Sequence, residues 1–162
     1  MVDADVSPEL REALGGLEDL LGRTVTDVTD GHARWELYRA ALASDAARPA
    51  LLAAVVAEPD NALASGVVGE SLERLPRAER STWVEALSPS VRAFSERRAR
   101  ELGVLEDLRA GAPAPDPGAV TGWSDWLQLR IAAEVSDGAV LRLLAESGRT
   151  KRIRRAAAEA LG

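Results

Sequence analysis

Cysteine is absent from the 162 residues, which excludes disulfides, thiolate metal sites and cysteine nucleophiles. Histidine occurs once, as His32, so a paired-histidine metal site or a catalytic histidine pair lacks its second member. Lysine also occurs once, as Lys151, among 20 basic residues, so arginine abundance by itself carries little functional weight. Aromatic residues make up 4% of the chain, and β-branched residues never alternate over a run long enough for a sheet. The longest apolar run, 50–57, falls far short of the roughly 20 residues a membrane helix needs. The first residues, M-V-D-A-D-V, are acidic and lack the basic-then-apolar layout of a signal peptide. A soluble, cytoplasmic protein is the expectation.

Alanine and leucine dominate what is present, and both lose little entropy in a helix. Hydrophobic residues at 46% and charged residues at 28% are a globular balance. An all-α fold of about eight or nine helices is therefore expected, arranged as short antiparallel pairs or a compact bundle. Ser7-Pro8 and Ser88-Pro89 each set a capping hydroxyl before a proline at a first helical position. The first starts a helix with Leu10, Leu14, Leu17 and Leu21 on one face; the second starts a long helix running past Gly103 to about Arg109. Asp30 precedes a helix bearing Trp35, Tyr38 and Leu42. Another runs from about Arg48 to Glu58, and Asp60 opens one striped by Leu63, Val67, Val68, Leu72 and Leu75. A short helix around 82–87 completes an acidic body, 1–110. The segment 111–122, with three prolines and three glycines, reads as a semi-rigid connector unable to hold a helix. Three short helices follow, at about 124–135, 137–146 and 151–161.

Charge divides along the same line. Residues 119–162 carry seven basic and five acidic side chains, whereas 1–118 carry thirteen basic and twenty-one acidic. A mildly basic C-terminal part on an acidic body fits recognition of an anionic surface. Mutual attraction of the two within one fold is the competing explanation.

From Ile153 to Gly162 the chain reads I-R-R-A-A-A-E-A-L-G. This resembles the second helix of a HEAT-type repeat, with Val140, Leu141, Leu143 and Leu144 in the first helix of the unit. A fainter echo ends at Glu101-Leu102-Gly103, with Phe94 and Ala99 at the positions of Ile153 and Ala158. The resemblance implies stacked helix pairs acting as a scaffold, with 123–162 as the repeat. It departs from the family in its turn, Gly148-Arg149-Thr150-Lys151, which lacks the aspartate that would pair with Arg154.

Five of the seven residues 149–155 are cationic, against a formal net charge of −6 for the whole chain. Cations in a first turn oppose the helix dipole, while a bound anion would reverse the sign. Arg149, Lys151, Arg152, Arg154 and Arg155 are therefore the candidate partner-binding residues, with Arg130 and Arg142 as accessories. A solvated face or internal pairing is the bland alternative. Ile153, Ala157, Ala160 and Leu161 are expected to face the core. In G-W-S-D-W-L-Q-L-R, 122–130, Trp123 and Leu127 match a hydrophobic staple, and Trp126 could anchor a partner, although core use is the simpler reading. His32 reads as a surface or capping residue. Ser65-Gly66-Val67-Val68-Gly69 reads as a site of close helix packing.

Phosphate-binding glycine loops, nucleophile elbows and calcium loops are all missing. No catalytic residue, cofactor or metal is expected. The sequence favours a non-catalytic adaptor or regulatory module that binds another protein. Nucleic-acid binding through 149–155 comes second, disfavoured by overall acidity and by the lack of interleaved aromatics. A small carboxylate-based enzyme comes third.

Overall fold

Side-chain caps set most helix starts. The computed structural model describes residues 6–162, and among these it contains ten α-helices, three short 3-10 turns and no strand. Ser7 Oγ accepts the Leu10 N–H at 3.1 Å to open α1 (Pro8–Leu21). Asp30 caps α2 (Gly31–Leu42) through the His32 N–H at 3.0 Å, leaving the His32 side chain exposed. After α3 (Arg48–Ala57), Asp60 accepts from Ala62 and Leu63 at 3.0 and 3.1 Å and opens α4 (Asn61–Ser71). Each cap answers N–H groups that the helix itself leaves without partners. α5 (Arg80–Glu85) is one short helix beyond Pro76.

The Ser88-Pro89 start differs from expectation. Pro89–Val91 form a 3-10 turn, and α6 (Ala93–Arg109) begins only at Ala93. Ser88 caps nothing; its hydroxyl bonds instead to Asn61 Oδ1 at 3.1 Å. Arg92 closes this corner by donating to the carbonyls of Leu87 and Glu85, both at 2.9 Å.

A second difference lies in 111–122, where α7 (Pro117–Gly122) forms despite the composition. Pro117 occupies the first helical position, where a missing N–H breaks no helical bond and φ is already suitable. Only 111–116 stays irregular. The remaining helices are α8 (Asp125–Glu134), α9 (Gly138–Ser147) and α10 (Lys151–Leu161), close to their expected bounds.

The chain divides between Ala99 and Arg100 into two units, so the boundary falls inside α6 and upstream of the proline-rich segment. In the first unit α1 packs chiefly on α3, and α2 on α4. Leu10, Leu14, Leu17, Tyr38, Leu51, Val67, Val68 and Leu72 are buried there. One ionic network lies among them. The Arg34 guanidinium grips both oxygens of Glu58, at 2.8 and 3.0 Å, and donates to the Val28 carbonyl at 2.9 Å. Tyr38 Oη and the Asp60 N–H each donate to the same carboxylate at 3.0 Å. Burial, and then the Glu58 negative charge, push the Tyr38 phenol well above its usual range. At the small-residue stretch, expected to be a site of close helix packing, Gly66 is exposed and a Cβ there would meet the Trp35 ring only at an ordinary 3.7 Å.

The second unit has its own core. Leu105 and Leu108 of α6 join Val120, Trp123, Leu127, Ile131, Val140, Leu141, Leu144, Ile153 and Ala157. This explains the upstream boundary: the second half of α6 buries its leucines with α8–α10. Trp123 and Leu127 are both core residues, but with Ser124 as the N-cap of α8 the staple position opposite Trp123 is Gln128, so the pair is not a hydrophobic staple.

Candidate interaction surface

α10 packs against α9 and α8 through Ile153 and Ala157. Ala160 and Leu161, expected in the core, are exposed, Leu161 to 40%. They lie in the final turn, beyond the reach of the core, so the buried stripe ends one turn early.

The turn into α10 is tightly specified. Gly148 ends α9 at a negative φ, so left-handed geometry is not why glycine stands there. A Cβ would lie 2.6 Å from the Leu144 carbonyl oxygen and 2.7 Å from Ile153 Cγ2. Thr150 then caps α10 through the Ile153 N–H at 3.1 Å. The Arg149 N–H donates to Gln128 Oε1 at 2.9 Å, and the Gln128 amide donates to the Val120 and Trp123 carbonyls at 3.0 and 3.1 Å. One buried amide thereby joins the end of α7, the entry to α8 and the entry to α10. Glu101 plays a similar part at the start of α8, accepting the Ser124 N–H at 2.8 Å and the Ser124 hydroxyl. Sequence reasoning missed both residues. The available signal was an uncharged polar side chain at 128 flanked by Leu127 and Leu129; nothing in the sequence marked Glu101.

The seven expected partner residues separate into two sets. Arg149 Nε pairs with Asp125 Oδ1 at 2.8 Å, and Arg154 donates to the Gly148 carbonyl at 2.8 Å. The turn does lack an aspartate for Arg154, which bonds a backbone oxygen of the turn instead, while Arg149 finds its carboxylate on α8. Arg130 stacks over Trp126, 5.2 Å from its centroid, and ion-pairs with Glu134, which also takes Arg109. These arginines, Arg130 foremost, hold the Glu134 carboxyl below its ordinary range. Trp126 is half-buried against the core. Lys151, Arg152 and Arg155 form the other set. All three are exposed, and among the described residues none has a hydrogen bond or ion pair. Arg142, the suggested accessory, is exposed on α9.

Among the described residues no group of three histidine, aspartate or glutamate side chains is arranged to hold a metal ion. No helix among them is long and apolar enough to cross a membrane. No protein-family model, curated protein or solved structure matches the chain.

Proposed function

We propose that the chain is a non-catalytic, cytoplasmic interaction module whose basic α10 edge docks on an acidic surface of another protein. The observation carrying this reading is the contrast on one helix start. Arg149 and Arg154 are held by internal partners, while Lys151, Arg152 and Arg155 project with no partner among the described residues. Lys151 and Arg152, in the first turn of α10, oppose its dipole by roughly 0.3–1 kcal/mol each at low salt. A feature unfavourable to the isolated fold is best explained by what it meets outside. Helix pairs in the manner of a HEAT repeat suit this role, since such pairs present one face to partners.

The test is affinity capture with the wild-type chain and with Lys151→Glu/Arg152→Glu/Arg155→Glu, at low and moderate salt, identifying both protein and nucleic acid. Arg149 and Arg154 stay untouched because they support the turn. A protein partner lost with the folded variant is the expected result. Equal capture by both baits would sink the proposal, and selective loss of nucleic acid would put the phosphate-binding reading in its place.

A further inference from the structure

A shallow groove on the first unit joins two walls of different character. One wall is the α4 face bearing Ala62, Ser65, Gly66 and Gly69, with Glu70 at its rim. The other is Val91, Phe94 and Arg98, from the 3-10 turn and the start of α6. Phe94 is 58% exposed, and the Arg98 guanidinium lies 5.1 Å from its ring centroid. A single exposed phenylalanine calls for no explanation. Here it stands beside a wall almost without side chains, with charges of opposite sign on the two rims. Glu70 is exposed and has no hydrogen bond or ion pair among the described residues. The corner is braced rather than loose: Ser88 bonds to Asn61 at the head of α4, and Arg92 ties down the turn before α6.

We infer that a second copy of this chain covers the groove through a two-fold contact. A two-fold axis running along the groove sets the α4 wall of each copy against the α6 wall of the other. Each Phe94 then meets the small-residue wall of its partner, and each Glu70 faces the partner's Arg98. Both halves of the contact are present on one surface, as an isologous interface requires. The charges also fix register, because sliding or inverting one copy brings like charges together. Phe94 is the apolar anchor and the ion pairs surround it. This contact is independent of the α10 edge.

The experiment is sedimentation equilibrium on the full chain from about 1 µM to about 1 mM, the span of weak to moderate affinities. The wild type is expected to dimerise, and Phe94→Ala to weaken the dimer roughly 30-fold, as for an interface anchor. Glu70→Arg and Arg98→Glu are each expected to be monomeric alone, with like charges opposed at both rims. Mixed in equal amounts they should dimerise again. The introduced arginine then meets the introduced glutamate at one rim, and the native Glu70 and Arg98 meet at the other. Misfolding of either variant could not produce that rescue. A wild type monomeric throughout, or single variants that dimerise like it, would overturn the inference. So would dimerisation that responds to Lys151→Glu/Arg152→Glu/Arg155→Glu, which is expected to leave it unchanged.

Discussion

Gly148 and the Arg34–Glu58 pair show how much single residues decide in this chain. A methyl group at 148 would overlap the Leu144 carbonyl and the Ile153 side chain, neither of which has room to retreat. Gly148→Ala is expected to destabilise the fold by about 1–3 kcal/mol, the usual range for overpacking, measurable by urea unfolding. At the other site, the Glu58 carboxylate accepts from Arg34, Tyr38 and the Asp60 N–H. Arg34→Ala should cost about 3–5 kcal/mol, because it strands a buried carboxylate. Replacing both partners by apolar residues should cost less than the sum of the single changes. Tyr38 adds a pH dependence with a definite sign. Its phenol is raised in the folded state and ionises near pH 10 when unfolded, so the unfolded chain releases the proton first. The stability is present below about pH 10 and falls above it, by up to about 1.4 kcal/mol per pH unit. Denaturant titrations between neutral and strongly alkaline pH should show this slope, and Tyr38→Phe should flatten it.

At the scale of elements, caps and dipoles can be weighed against each other. Thr150→Ala removes a cap that α10 uses and should cost about 1 kcal/mol. Ser88→Ala, at a site that looks equivalent in sequence, removes only an exposed bond to Asn61 and should stay within about 0.5 kcal/mol. Equal effects in the two variants would show that Ser88 does cap a helix in solution. α10 itself makes the opposite kind of prediction. Lys151→Glu and Arg152→Glu should each stabilise the free protein by about 0.3–1 kcal/mol at low salt, fading as salt rises. Thermal unfolding at two ionic strengths checks this. A gain in stability alongside lost binding is the signature of a surface kept for a partner.

The whole molecule combines an overall acidic charge with a basic terminal edge. Binding through three cations should weaken with salt, and the steepness separates partner classes. If the three contact phosphates, the logarithm of affinity should fall with the logarithm of salt at a slope of about −3. A protein surface that also buries apolar area should give a shallower dependence. Isothermal titration at several salt concentrations distinguishes the two, with the triple glutamate variant as the reference.

Helical content, most caps and the apolar stripes were legible because they depend on residues three or four apart, where backbone bonds and side-chain spacing are local. The basic edge was legible for the same reason: five cations in seven positions are a local fact. Local signals failed where a distant residue competed. Asn61 took the Ser88 hydroxyl in this way; elsewhere one local signal outweighed another, as Pro117 started a helix against the composition of its segment, and the α10 stripe ended before Leu161 where the core beneath it ends. Which cations remain free was settled only in three dimensions, because Asp125 lies 24 positions before Arg149, and the Gly148 carbonyl reaches Arg154 only through the turn. Glu101 was invisible for the same reason, and Gln128 was marked only by its apolar neighbours Leu127 and Leu129. The sequence by itself determined an all-helical chain with a cationic terminal helix, since propensity, capping and charge are properties of short windows. Tertiary structure alone decided which polar groups meet, because burying an amide or a carboxylate requires partners that come from elsewhere in the chain.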